Sequence, residues 1–144
     1  MADITGATAT FVLAIASLFP APIQLQGFAA DDVFTTDPQE SAEVLMGVDG
    51  FLSTGFVFVP VRQMIALQAD SPSNDLFDFW HASMVAAKQA FFAQGNVNLP
   101  AINRNWTLIN GTLTTYPPVP DGKRLLQPRR FGITWESISP AVAL

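Results

Sequence analysis

Apolar and polar residues alternate along most of this chain, and the rhythm is period two rather than 3.6. Between Thr8 and Phe19, Phe11, Leu13 and Ile15 fall on one side, and Thr10, Val12, Ala14 and Ala16 on the other. β-Branched and aromatic residues in that rhythm predict a strand buried on at least one face. Pro20 and Pro22 interrupt it, and Ile23 to Phe28 predicts a second strand with one polar face. Val33 to Thr36 predicts a short third. Ser41 to Val48 predicts a fourth, with Ala42, Val44, Met46 and Val48 opposite Ser41, Glu43 and Leu45. Asp49-Gly50 is a turn signal. Phe51 to Gly55 then leads into the apolar segment Phe56 to Val61, followed by another strand from Met64 to Gln68. The Phe56 to Val61 segment reads equally as a core strand or as an exposed patch that marks a protein contact.

One stretch breaks the rhythm. Leu76, Trp80, Met84 or Ser83, Ala87 and Phe91 recur every three to four residues, an apolar helical stripe. Ser71 is a candidate cap, Pro72 suits the first helical position, and Asp75 and Asp78 favour the positive end of the helix dipole. Gly95 is a candidate stop, so the pattern predicts one helix over residues 72–93. Beyond it, Trp106 to Tyr116 contains Asn110-Gly111, which fits either a hairpin turn or a bulge within one long strand, the long strand being preferred. Pro117 to Gly122 is a loop. Phe131, Ile133 and Trp135 alternate with Arg130, Gly132 and Thr134 in a terminal strand. The sum is a mainly β (α+β) fold, a barrel or sandwich of about seven strands with one inserted helix, in a single domain spanning residues 1–144.

Composition changes what this fold must be. Apolar residues make up 49% and charged residues only 13% of 144 residues, with a mean hydropathy of +0.30. A soluble domain carries about 25% charged residues. The chain therefore either enters a membrane or covers its surface with other protein. The longest apolar run, Ala7 to Phe19, includes Thr8, Thr10 and Ser17 and falls short of the roughly 20 residues a spanning helix needs. The stretch before it contains Asp3 and no basic residue, unlike a signal peptide. Protein cover is the stronger reading.

Charge is placed unevenly. Residues 1–61 carry no Lys or Arg, and Asp3, Asp31, Asp32, Asp37, Glu40, Glu43 and Asp49 give that part a net −7. The remainder holds all seven basic residues against five acidic ones, a net +2. Unlike faces on one subunit suit heterologous contacts, which close into rings or propagate as filaments.

Candidate chemistry is sparse. There are no cysteines, which removes disulfides, thiolate metal sites and cysteine nucleophiles together. His81 is the only histidine, lies mid-helix, and has no second histidine to share a metal with. Ser53, in Gly50 to Gly55, misses the nucleophile-elbow spacing by one residue. Asp31 and Asp32 would point to opposite faces of a strand, and dipole capping accounts for Asp75 and Asp78. No phosphate-cradling glycine loop is present. Lys123, Arg124, Arg129 and Arg130 form a small basic cluster, which reads as a solvated or interface patch because the chain as a whole is −5. No metal, cofactor or catalytic site is expected.

Several segments, in order, resemble the tail tube proteins of contractile-tailed bacteriophages. Gly27-Phe28-Ala29-Ala30-Asp31-Asp32 resembles that family's G-F-x-x-D-D segment, and Gly47-Val48-Asp49-Gly50 its G-x-D-G turn. Met64 to Asn74, ending Ser71-Pro72-Ser73-Asn74, resembles the strand and S-P-S-N approach to its single helix. Thr112 to Pro118 resembles the strand that runs into prolines before the last strand. The match covers about residues 8–136, and the stretch after Gly55 is more apolar than in relatives.

The resemblance implies a non-enzymatic virion subunit. Six copies would share sheets in a ring, and rings would stack into a tube inside a contractile sheath. The subunit would be assembled in the host cytoplasm and would meet tail sheath, tape measure, baseplate and tail terminator proteins. DNA would pass without specific binding. Asp31, Asp32, Asp37, Glu40 and Glu43, with Asp49, are then candidates to line the bore and repel phosphate. Asp49, Gly50, Phe51, Gly55, Phe56, Val57, Phe58, Val59 and Arg62 are candidates for contact with the adjacent ring. The other readings are a tube subunit of a type VI secretion or related injection machine, a capsid cement protein, and a small ligand-binding barrel or enzyme.

Overall fold

The computed structural model describes residues 9–15, 18–26, 28 and 34–142. Asp31, Asp32 and Val33 lie outside the described residues. The strands are β1 (Thr10–Ile15), β2 (Phe19–Gln24), β3 (Phe34–Thr36), β4 (Ala42–Met46), β5 (Leu52–Phe56), β6 (Val61–Leu67), β7 (Ala93–Leu99), β8 (Arg104–Thr115) and β9 (Arg129–Val142). Among the described residues one α-helix, α1 (Asn74–Ala87), lies between β6 and β7, and a short 3-10 turn (Pro100–Ile102) joins β7 to β8. Seven strands form one antiparallel sheet in the order β2-β1-β7-β8-β9-β6-β3, and β4 pairs only with β5. The mainly β fold with one inserted helix is as the pattern predicts.

The sheet curls. Phe11 on β1 and Phe34 on β3 come from strands near opposite margins, yet their ring centroids are 6.0 Å apart at 70°. The concave side holds the core. Phe11, Leu13 and Ile15 meet Phe131, Ile133 and Trp135 there, with Val61, Ile65, Leu67, Val97 and Leu108. The predicted alternation of Phe11/Leu13/Ile15 and of Phe131/Ile133/Trp135 is therefore the burial pattern of β1 and β9. Trp135 Nε1 donates to Gln63 Oε1 at 3.1 Å, and Gln63 Nε2 donates to Thr36 Oγ1 at 3.2 Å. This chain satisfies the buried glutamine, which would otherwise cost about 1–3 kcal/mol. A partly open cavity of about 320 Å³ remains between Phe34, Gln63, Trp106 and Ile138.

Several boundaries differ from the pattern. The second strand begins at Phe19 rather than Ile23 and contains Pro20 and Pro22. Its place at the sheet margin permits this, because proline lacks only a donor that an edge strand need not supply. The helix covers Asn74–Ala87 rather than 72–93, and left-handed Lys88 (φ 56°) ends it. Residues from Ala93 onward are needed as β7, the partner of β1, with Ile15 opposite Ala93. Gly95 is consequently no helix stop. A Cβ there would sit 3.1 Å from side-chain atoms of Leu13 and Leu108 and from the Val12 carbonyl oxygen, so the glycine permits close strand packing. Finally, the segment Phe56 to Val61 is not one strand: β5 ends at Phe56 and β6 begins at Val61.

Asn110-Gly111 lies inside the long strand β8. Gly95 opposes Leu108 while Ala93 opposes Gly111, which marks a bulge there. Asn110 carries φ 50°. Its side chain accepts from Gln94 Nε2 and donates to Glu136 Oε2, both at 2.6 Å, tying β7, β8 and β9 together.

Helix α1 packs by its first two turns. Leu76, Phe77 and Trp80 are buried, and Phe77 stacks on Phe131 at 4.3 Å. Trp80 Nε1 donates to the Phe91 carbonyl at 3.2 Å, so Phe91 serves the core from beyond the helix. Ser71 does not cap the helix; the cap position is Ser73, and no side chain caps it. Both serines instead hold the segment that leaves β2. Gln26 N–H donates to Ser73 Oγ at 2.8 Å, and the Ser71 hydroxyl donates to the Gln26 carbonyl. Asn74 Nδ2 donates to the carbonyls of Gln68 and Ala69.

Candidate assembly surface

β3 and β6 already pair with each other, Thr36 opposite Gln63. The Asp37 N–H donates to the Arg62 carbonyl at 2.8 Å and continues that ladder by one step. Everything from about residue 38 to 60 is therefore an excursion from a closed strand pair. Within it β4 and β5 form a hairpin whose register places Ala42 opposite Phe56, Val44 opposite Thr54 and Met46 opposite Leu52. Directly opposed residues share a face, so one face is Ala42, Val44, Met46, Leu52, Thr54 and Phe56. The other carries Glu43, Leu45, Ser53 and Gly55. At the tip, Gly50 takes φ 88°, and the Phe51 N–H donates to Asp49 Oδ1 at 3.2 Å.

The alternation is borne out over Ala42–Met46, yet nothing among the described residues covers the apolar side. Every residue of β4 and β5 is exposed. Val44, Leu45, Met46, Phe51, Leu52 and Phe56 all lie open, Val48 is fully exposed and Phe58 is 91% exposed. Phe56 and Phe58 meet edge to face at 4.9 Å, a small apolar cluster at the hairpin base. An isolated two-stranded hairpin is marginal in water, and an exposed apolar patch of this kind marks an interface.

Of the residues expected at a ring contact, Asp49, Gly50 and Phe51 form the hairpin tip, Gly55 and Phe56 lie on β5, and Phe58 is at the base. Val57 and Val59 are half-buried. Arg62 belongs to the main sheet, where it donates to Thr115 Oγ1 at 3.2 Å. Asp37, Glu40 and Glu43 are exposed at the hairpin base and on β4. Glu40 and Glu43 thus share one excursion with the apolar contact candidates, and Asp37 lies at its root. Val44, Leu45, Met46, Val48 and Leu52 are as open on the hairpin but are not among the residues expected at that contact, because alternation separates two faces without showing whether either is covered.

A second surface lies on the loop from Tyr116 to Pro128. Val119, Leu125 and Leu126 are exposed on it, beside exposed Lys123 and Arg124. The loop is clasped by the Gln127 N–H on the Asp121 carbonyl at 3.0 Å. Arg129 at its end is only 5% exposed and is not part of a solvated basic patch. It pairs with Asp78 at 2.8 Å, donates to the Pro117 carbonyl at 2.8 Å, and lies over the Phe131 ring at 4.8 Å. Asp78 accordingly serves this ion pair rather than only the helix dipole. Tyr116 donates its hydroxyl to the same carboxylate, and its ring stacks on His81 at 4.1 Å. The Arg129 bonds hold the Asp78 carboxyl below its usual range, against the opposing effect of burial. Burial and the Asp78 contact push the Tyr116 hydroxyl up.

Among the described residues no three His, Asp or Glu side chains gather as a metal site. No described helix is long and apolar enough to cross a membrane.

The profile of a family described as tail fiber protein gp32 matches residues 2–139, and the chain belongs to that family. No curated protein matches it by sequence. Its fold is similar to a chain of the anti-feeding prophage baseplate, solved with 6-fold symmetrisation, at TM-score 0.57 and 10% identity, covering 99% of this chain and 97% of that one. It is similar also to a chain of an extracellular contractile injection system, the PVC sheath–tube complex in its extended state, at TM-score 0.56 and 11% identity, covering 92% and 88%.

Proposed function

We propose that this chain is the tube subunit of a contractile tail: six copies share sheets in a ring, and rings stack into a conduit for DNA. The uncovered β4–β5 hairpin carries the reading. It is long, apolar on one face and detached from the core, as an element reaching a neighbouring ring must be. The two margins of the sheet, β2 and β3, add support, since exposed strand edges pair with other chains unless protected. Similarity to chains of a sheath–tube complex and of a 6-fold symmetrised baseplate favours a ring-forming role.

In such a tube some of the acidic side chains Asp37, Glu40 and Glu43 face the bore and repel DNA phosphates, so the genome slides without sticking. The sheath, tape measure, baseplate and terminator proteins are the partners this role requires. A tail fiber or baseplate component is the second reading, favoured by the family's description and by the baseplate neighbour.

Electron microscopy of the purified chain separates the two. Rings or tubes of uniform bore support the tube; a compact monomer or a rod without a bore refutes it. The double substitution Phe56→Ser with Phe58→Ser should leave a soluble, folded subunit that forms no tubes. Tubes of normal length from that variant would remove the hairpin from the stacking contact.

A further inference from the structure

We infer that the tip of the β4–β5 hairpin of one copy docks on the Tyr116 to Pro128 loop of the next copy. The inference rests on the tube reading and names the receiving surface. Three observations converge on that loop. First, both partners are apolar and open. The tip offers Val48, Phe51 and Leu52, and the loop offers Val119, Leu125 and Leu126. Second, their charges are complementary. Asp49 is the only ionised side chain at the tip, and Lys123 and Arg124 stand beside the loop's apolar residues. Residues 1–61 contain no basic side chain that could answer Asp49 from its own half of the chain.

Third, the loop is a built receptor. A groove of about 300 Å³ runs along it between Pro117, Val119, Lys123, Pro128 and Arg129. Arg129 fixes the groove wall through its bonds to Asp78 and the Pro117 carbonyl.

The two surfaces differ, so each copy offers one tip and one loop, and the contact propagates rather than closing on itself in pairs. Asp49 is engaged at the contact, which leaves Glu40 and Glu43, nearer the hairpin base, for the bore.

Cross-linking tests this, because the chain has no cysteine of its own. The full chain carrying Val48→Cys and Leu125→Cys, assembled and then mildly oxidised, should give a ladder of covalent dimers, trimers and higher multiples. Val48→Cys with Val85→Cys, the latter exposed on α1, should give none. Rings or tubes that form without the Val48/Leu125 ladder, or a bridge that runs as a monomer, overturn the docking and leave the tube reading standing. Absence of any assembly at high concentration overturns the tube reading and this inference with it. Independently, Lys123→Gln with Arg124→Gln should raise the concentration needed for tube growth about tenfold, since opposed charges across an interface govern encounter and register. Growth unchanged by that pair of substitutions also overturns the docking.

Discussion

Replacing Gly111 with alanine asks how tightly the centre of the sheet is packed. Gly111 opposes Trp135 across the β8–β9 ladder, and the indole lies over the glycine. A Cβ there would stand 2.3 Å from Trp135 Cε3 and 2.6 Å from Cδ2 and Cζ3. Real side chains do not approach so closely, and Trp135 is fully buried with nowhere to retreat. Overpacking a well-filled core costs about 1–3 kcal/mol. If the indole tilts away, its bond to Gln63 breaks, which adds about 1–2 kcal/mol. The total, about 2–5 kcal/mol, should lower the melting temperature of a domain this size by about 6–15 °C. The assay is thermal unfolding followed by tryptophan fluorescence, at concentrations where the chain stays unassembled. Gly122→Ala is the control, because a Cβ there meets nothing within 4 Å. Melting of Gly111→Ala within about 1 °C of the parent would show that the ring does not seal this position and that the packing argument fails.

Three further outcomes follow from the same packing. Asp78→Asn should destabilise the fold by about 1–3 kcal/mol, less than a fully buried pair because the Asp78 side chain is 42% exposed; chemical denaturation at neutral pH measures it. Asp78 is held below its ordinary value of 3.8, so its contribution is present above that value and is lost as pH falls through the folded value. The stability of Asp78→Asn should therefore fall less steeply than the parent's between about pH 5 and pH 2, and parallel acid limbs would refute the assignment. Lys88→Gly should gain about 0.5–1 kcal/mol, because a left-handed helix end favours glycine, and an unchanged denaturation midpoint would count against the cap.

The strands that were legible in the sequence are those whose two sides differ sharply in burial. Phe11, Leu13 and Ile15, and Phe131, Ile133 and Trp135, face a core on one side only, so alternation reports burial directly. Alternation failed to report burial on β4. It says that two faces differ, and it is silent on whether the apolar face is covered by the same chain or by another. The end of α1 was not legible because Ala86, Ala87, Lys88 and Gln89 favour helix locally, whereas the demand of β1 for a partner decides where the helix stops. Gly95 looked like a stop for the same reason, though its cause lies in Leu13 and Leu108. The pairing of Asp78 with Arg129 joins residues 51 apart, a separation at which spacing carries no information. Lys123, Arg124, Arg129 and Arg130 were visible as a cluster, but their division into one buried anchor, Arg129, and three exposed cations required the fold.

The hairpin grows from two strands that are already neighbours, and this has a consequence for how such a subunit changes over generations. Because the β3–β6 ladder closes beneath it, residues can be added, removed or replaced in the excursion without disturbing the register of the sheet. Under the proposed docking, variation there is filtered by the contact between copies, while variation in the sheet is filtered by folding. A lineage of such subunits could then retune which copies recognise one another while inheriting the same scaffold intact.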